Sequence, residues 1–200
     1  SLMESFEYYS NHSLMGNISG NHDIPRFISY ASKALSFFED EKEAGWTRRV
    51  EIIDTIGYNK LKLLSAFNIT IPGVPVIYYG DEIGMVGAGD PDNRRPMIFE
   101  GLNKHQEDVK KTVKQLFSLR ANNIALTFGE FNLLHLSDNV FVYERVYLNN
   151  KAIVMFNKSD KAITLPNIQD INSFKNHFNS ITKNQEIVLP PYSFDIYTKQ

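Results

Sequence analysis

The chain has 200 residues with 21 Lys and Arg against 23 Asp and Glu, so its formal net charge of −2 provides no basic field for nucleic acid. The sequence contains no run of about 18 continuous apolar residues, so no membrane span is predicted. Cysteine is absent, which excludes disulfides and thiolate metal sites and fits a reducing compartment or a bacterial periplasm equally well.

Residues 1–15 carry apolar side chains at roughly helical spacing, but no capping residue precedes them. This pattern is typical of the end of an element that starts upstream. We therefore expect that the native N-terminus is absent. Because the native start is expected elsewhere, the lack of a visible signal peptide does not decide the compartment, which stays open between the bacterial cytoplasm and the periplasm.

The next stretch changes from strand to helix. Ile18 alone favours a short strand, and Pro25 suits the first turn of a helix. An amphipathic helix out to about residue 38 is predicted by Phe27, Ala31, Ala34, Leu35 and Phe38. A second helix, ending before Ile71-Pro72-Gly73, is predicted by Leu61, Leu63, Leu64 and Phe67.

Residues 39–49 form a charged stretch between these helices and contain Trp46, the only tryptophan. One interpretation is a solvated loop against which Trp46 folds down. The other is that Trp46 offers an aromatic ring near a ligand site. The stretch alone does not separate the two.

An apolar run at residues 74–79 predicts one fully buried strand, which breaks at Gly80 into a loop rich in glycine, carboxylates and arginines. Enzymes of the α/β class present polar groups in this way, at the carboxyl ends of strands. Residues 103–121 then predict a strongly amphipathic helix. Two strands cannot form a stable sheet alone, so we expect residues 1–122 to be the tail of a larger α/β domain.

The pattern changes after Asn122-Asn123. Short β-rich runs separated by polar turns occupy residues 128–136, 140–147, 152–157, 162–165, 187–189 and 193–197. No comparably strong helical pattern interrupts them. We therefore expect residues 123–200 to form a C-terminal antiparallel β-sandwich domain.

Asn21-His22-Asp23 stands at a strand-to-helix junction, where polar side chains gather around substrates. Asp23 could face a developing positive charge, and His22 could donate to hydroxyls. Alternatively, Asp23 is the N-cap of the helix that starts at Pro25. A His-Asp pair also suits a metal-dependent phosphohydrolase, for which His12 is the nearby candidate for a further ligand.

The charged loop offers a second group of candidates within fifteen residues, namely Asp81, Glu82, Asp90, Asp92, Arg94 and Arg95. Its oxygens could bind calcium, although the arginines would compete for the carboxylates. Asp90 and Arg94 could instead form a salt bridge within the loop or a clamp on sugar hydroxyls. Spacing alone leaves these interpretations open.

Taken together, the motifs resemble one family. Gly20-Asn21-His22-Asp23, with Arg26 close behind, resembles the fourth short motif of the α-amylase family of retaining glycosidases. Residues 73–85 look like that family's eighth barrel strand and the loop after it. Residues 90–97 are similar to the corresponding loop of the neopullulanase and oligo-glucosidase branch.

This resemblance implies roles for single residues. Asp23 would be the catalytic carboxylate that binds sugar hydroxyls and helps to distort the ring, and His22 would donate to the same sugar in the transition state. Asp90 and Arg94 match residues that contact glucose units on the non-reducing side of the cut. Asn21 and Arg26 are implied at the substrate, although Arg26 also suits a support of the barrel mouth.

The resemblance also implies what the chain lacks. The family's nucleophile Asp and acid/base Glu belong to upstream strands, and no segment here matches either. We therefore expect the last quarter of a (β/α)8 barrel, strands seven and eight, followed by the sandwich. Such a chain would be inactive alone but part of an enzyme that cleaves α-glucans or maltooligosaccharides. The alternative is a non-catalytic sugar-binding module derived from an amylase.

Several further properties stay open. No cofactor is evident, and calcium is possible in the full-length enzyme. Exposed flanks of the two strands would favour homo-oligomers or strand exchange. The choice between α-1,4 and α-1,6 bonds, and between hydrolysis and transfer, does not follow from the motifs.

Overall fold

A computed structural model describes residues 4, 5, 8, 15–165, 168, 170–178, 181–183 and 186–199, with only the backbone of 181–183. Most of the element predicted over residues 1–15, including His12, lies outside these residues. The chain divides into two compact units. We call Asn17–Asn68 with Pro75–Leu116 the site unit, and Ser1–Gly16 with Ile69–Val74 and Phe117–Gln200 the sheet unit.

Up to residue 121, three helices separate two short strands and a long helix follows, and the division between the units passes inside several of these elements. In chain order they are β1 (Gly16–Ile18), α1 (Phe27–Ala31), α2 (Glu41–Thr47), α3 (Ile56–Thr70), β2 (Val74–Val76), 3₁₀ turns at Asp81–Ile83 and Asp92–Arg94, and α4 (Lys104–Ala121). β1 and β2 are hydrogen-bonded neighbours in a two-stranded sheet.

The two long helices confirm the predictions from apolar periodicity. α3 buries Leu61 and Ala66, and α4 buries Val109, Val113 and Leu116. In the described residues, no helix combines the length and the apolar character that crossing a membrane requires.

The helix predicted out to residue 38 is much shorter. α1 ends at Ala31, and Lys33 then adopts the left-handed conformation at φ 62°. Ala34 and Leu35 reach the core through this turn, whereas Phe38 is fully exposed. The prediction was wrong because buried residues in an irregular turn happened to match helical spacing.

The charged stretch after it is also different from the predicted loop. Residues 41–47 form α2, and the Asp40 carboxylate caps this helix by accepting from the N–H groups of Lys42 and Glu43, each at 2.9 Å. Trp46 is 75% exposed, so it does not fold down against the chain.

β2 is shorter and more open than the predicted buried strand. It covers only Val74–Val76, and both valines are exposed. In the part of the chain that the structure describes, β2 has one strand neighbour. One edge of β2 is therefore unpaired among the described residues, and the face that carries the two valines lacks the covering layer that a buried parallel strand needs.

The sheet unit carries the remaining strands. They are β3 (Glu130–Leu136), β4 (Val140–Tyr147), β5 (Asn150–Asn157), β6 (Ile163–Leu165), β7 (Lys175–Asn176), β8 (Ile181–Lys183), β9 (Glu186–Leu189) and β10 (Ser193–Lys199). One sheet has the order β3-β4-β5-β10-β7 and the other β6-β9-β8, with antiparallel pairing in both. The prediction of an antiparallel β-rich region is confirmed.

One apolar cluster joins the two sheets. It includes Val142 of β4, Met155 of β5, Leu165 of β6 and Leu189 of β9. Alternate residues of these strands point inward, as the period of a half-buried strand requires. The patterns did not predict β7, β8 or the short helix α5 (Ile124–Phe128), which Asn123 caps.

Two buried arginines of the sheet unit hold the end of α3 and the residues after it. Arg120 donates to the carbonyls of Ile69, Ile71 and Gly73, and Arg145 donates to those of Thr70 and Gly129. The last carbonyls of a helix lack partners within it and carry partial negative charge. The guanidinium groups supply both the missing donors and the opposite charge.

Candidate functional site

The candidate site begins at the turn after β1. The backbone N–H of Asp23 donates to Oδ1 of Asn21 at 2.7 Å, so the Asn21 side chain closes the turn. Nε2 of His22 lies 3.2 Å from Oδ1 of Asp23. The two side chains are 60% and 67% exposed, which leaves both available to a ligand.

The structure contradicts the interpretation of Asp23 as a helix cap. α1 begins at Phe27, and its N-cap position is Arg26, whose side chain makes no capping hydrogen bond. Asp23 therefore lies outside the first turn of the helix. Its exposure is not explained by a capping role.

The charged loop after β2 is the second segment of the site, and it contacts this turn through Arg94. Nε of Arg94 lies 2.8 Å from Oδ1 of Asp90 and donates to the carbonyl of His22 at 3.2 Å, and Nη2 lies 3.7 Å from Oδ1 of Asp23. The Asp90–Arg94 salt bridge, one of the two interpretations that the spacing left open, is therefore present. It is also part of a larger group, His22, Asp23, Asp90 and Arg94, which we call the polar cluster.

Arg26 lies below the surface, at 1% exposure. Its guanidinium pairs with Asp81 at 2.8 Å and donates to the carbonyls of Tyr79 and Asn93. It also stacks 4.1 Å from the centroid of the Tyr78 ring. The prediction that Arg26 binds substrate does not agree with this burial, whereas the alternative, a supporting residue, does.

Asp81 is the carboxylate partner of Arg26. Burial raises the pKa of Asp81 above its ordinary value, and the hydrogen bond from Arg26 opposes this shift without cancelling it. A Cβ at Gly20 would lie 2.5 Å from Oδ2 of Asp81, so the close approach of the two segments requires a glycine there.

The loop is closed by residues whose roles the motifs did not predict. Arg95 donates to both carboxylate oxygens of Asp92, at 2.9 and 2.8 Å, and to the carbonyl of Val50. Asn93 is fully buried, and its amide donates to the carbonyl of Ile24. The Asp92-Asn93-Arg94-Arg95 run was the available signal, but spacing does not tell which of its side chains point inward.

The carboxylates of the loop are not gathered into a set of metal ligands. Asp81, Asp90 and Asp92 each face an arginine, which competes with a cation for the same oxygens. Among the described residues, no group of three or more His, Cys, Asp or Glu side chains could hold a metal ion. The phosphohydrolase interpretation thus finds no ligand set in the part that the structure describes.

The motifs and the arrangement of the polar cluster point to a family of carbohydrate enzymes. Residues 1–124 match the family described as "Alpha amylase, catalytic domain", and the chain belongs to this family. Relatives named cyclomaltodextrinase and neopullulanase place it in the neopullulanase-like branch.

Two relatives and one solved structure illustrate the extent of the similarity. The chain is 34% identical over 148 residues to a cyclomaltodextrinase of Thermoanaerobacter pseudethanolicus, covering 74% of the chain and 22% of the relative. It is 32% identical over 158 residues to neopullulanase 2 of Thermoactinomyces vulgaris, covering 74% and 27%. The chain thus spans about a quarter of the length of these relatives.

The solved structure is the Nostoc punctiforme debranching enzyme soaked with acarbose. It superposes with a TM-score of 0.73 at 20% identity, covering 99% of this chain and 37% of that one. The fold of the chain is therefore that of the matching part of α-amylase family enzymes.

Proposed function

We propose that the chain belongs to a retaining glycoside hydrolase, which cleaves α-glucosidic bonds in starch-type glucans or maltooligosaccharides. In this enzyme the chain would form the side of the cleft that binds the substrate. The polar cluster is the observation that carries the proposal. Two segments about 70 residues apart bring two carboxylates, an imidazole and a guanidinium to one exposed surface. Such groups match the alternating donors and acceptors of sugar hydroxyls.

In this proposal Asp23 and His22 hold ring hydroxyls more tightly in the transition state than in the ground state, which accelerates cleavage. Asp90 and Arg94 hold glucose units on the non-reducing side, and Asn21 sets the turn that presents Asp23. The retaining reaction also needs a nucleophilic carboxylate and an acid/base carboxylate. We place both in a longer protein, since the chain spans about a quarter of its relatives.

The fold proposal follows from the same relatives. β1 and β2 would be strands seven and eight of a (β/α)8 barrel in residues 1–122, and residues 123–200 would form the β-sandwich domain. The exposed valines of β2 would face neighbouring barrel elements. In the isolated chain they would favour oligomers or strand exchange.

The test is an assay of the longer gene product and of the 200-residue chain on maltooligosaccharides. We expect turnover by the longer protein, at least 100-fold less turnover by its Asp23→Asn variant because a transition-state contact is lost, and none by the isolated chain. Full activity of Asp23→Asn would overturn the role of Asp23. Turnover by the purified 200-residue chain would overturn the upstream location of the nucleophile.

A second candidate is a non-catalytic sugar-binding module. The observation that favours it is that all four residues of the polar cluster belong to one compact unit. This module would keep sugar affinity without further segments. Calorimetric titration of the 200-residue chain with maltotriose and acarbose separates the candidates, because measurable affinity together with an inactive longer protein supports only the module.

A further inference from the structure

Trp46 is a large apolar ring at the surface, 75% exposed near the end of α2. Exposure of such a ring forgoes the free energy that burial provides. Exposed aromatic surface beside polar groups is typical of a binding site. The neighbourhood of Trp46 therefore indicates what it could bind.

α2 is attached directly to the loop that carries Asp90. The N–H of Gly89 donates to the carbonyl of Glu41 at 3.0 Å, and Ala44 of α2 shares a buried cluster with Ala88. A Cβ at Gly45 would lie 2.9 Å from Cβ of Asp92. The helix and the loop thus touch from the first turn of α2 to the residue before Trp46.

The helical geometry places Trp46 at the rim of this contact. Lys42 and Trp46 are four residues apart and share one face of α2. That face borders the loop, because a Cβ at Gly89 would lie 3.1 Å from Cγ of Lys42. Helical side chains lean toward the N-terminus of their helix, so the position of Trp46 on α2 favours the Lys42 side, which borders the loop.

We propose that Trp46 is an accessory stacking residue that takes a further glucose unit of an α-glucan, beyond the unit held by Asp90 and Arg94. The inference rests on the proposed function. A pyranose has an apolar C–H face and a rim of hydroxyls. The indole ring suits the face, and the carboxylate–guanidinium pair suits the rim. Trp46 would thereby favour long glucans over short ones.

The experiment compares KM and kcat of the longer gene product on maltotriose and maltoheptaose. Trp46→Ala should raise KM for maltoheptaose about tenfold, as loss of a tryptophan contact does, and leave KM for maltotriose unchanged. Phe38→Ala is the matched control, since it removes a fully exposed ring that precedes α2. It should change neither KM, and both variants should keep the wild-type melting temperature.

An unchanged KM of Trp46→Ala for maltoheptaose would overturn the inference, and so would an equal rise for both substrates. If the wild-type longer protein cleaves neither substrate, the proposed function fails and the inference is decided by binding. Trp46 is the only tryptophan of the 200-residue chain, so its fluorescence reports on this ring alone. A change with maltoheptaose but not maltotriose would support the inference, and no change would overturn it.

Discussion

Nη1 of Arg26 lies 2.8 Å from Oδ1 of Asp81, and this ion pair joins segments 55 residues apart in the sequence. The same guanidinium donates to the carbonyls of Tyr79 and Asn93. One buried side chain therefore holds three points of the second segment. Asp23 precedes Arg26 by three residues, and Arg94 directly follows Asn93. The relative position of Asp23 and Arg94 therefore depends on the contacts of Arg26.

Removal of the Arg26 guanidinium should lower the free energy of unfolding. Arg26→Ala leaves the Asp81 carboxylate buried without its partner, and we expect a loss of about 3 kcal/mol in the free energy of unfolding. Urea denaturation followed by circular dichroism measures this. A loss below that of the exposed Arg94→Ala variant would contradict the supporting role of Arg26.

A double-mutant cycle separates the ion pair from the other contacts. Asp81→Asn removes the charge that Arg26 faces, so Arg26→Ala should cost less in that background than in the wild type. The remaining cost would report the hydrogen bonds to Tyr79 and Asn93. Equal costs in both backgrounds would show that the pair itself contributes nothing.

Arg94→Lys should impair substrate binding without affecting folding. A lysine keeps the charge but cannot reach the acceptors of Asp90, His22 and Asp23 through one planar group. In the longer gene product we expect KM for maltooligosaccharides to rise about tenfold. The free energy of unfolding should change by less than about 0.5 kcal/mol because Arg94 is exposed. Wild-type KM in Arg94→Lys would argue against a planar clamp on sugar hydroxyls.

Local spacing predicted part of this site. Asp90 and Arg94 lie four residues apart, and a salt bridge within the loop was one of the two interpretations that this spacing left open. The contact of Arg94 with His22 spans 72 residues, and the motif resemblance, not spacing, brought the two segments together. The burial of Arg26 was missed because an arginine is expected at the surface unless its partner is known.

In the fold, too, the elements with a local sequence pattern were predictable, and those that depend on other features were not. The long helices and most β-rich runs carry their own periodicity, so they were predictable. The N-cap Asp40 and Glu43 could have indicated α2, but the charged composition favoured a loop. The early end of α1 depends on a left-handed Lys33, a conformation that no sequence signal marks.

His177 should make the chain less stable in acid. Burial and the nearby Lys175 lower the pKa of His177 in the folded chain, against a weaker opposite effect of Asp195. The unfolded chain then binds a proton at a higher pH than the native one, so stability is lost as the pH falls below about 6.5. His177→Gln should lose less free energy of unfolding between pH 7.5 and 5 than the wild type. Identical losses in urea denaturation would contradict this.

Arg145 is expected to be essential for the sheet unit. Burial lowers its pKa to about 10, so it remains charged at neutral pH. Arg145→Ala would leave the carbonyls of Thr70 and Gly129 without these donors, at a cost of about 3 kcal/mol in the free energy of unfolding. Lys151→Ala is the control, because it removes a partly exposed ion pair with Glu144 that is worth about 0.5 kcal/mol. Similar losses in the two variants would refute the special role of Arg145.

The arginines that hold the end of α3 also limit how members of this family can be recombined. Arg120 and Arg145 lie on either side of residue 122, yet both donate to carbonyls among residues 69–73, the last of which is the first residue of the eighth-strand motif. A chimera joined at residue 122 would take Arg145 from one parent and the Thr70 carbonyl to which it donates from the other. Recombination should therefore succeed best where the chosen parents share the backbone of residues 69–73, even though that segment contributes no residue to the polar cluster.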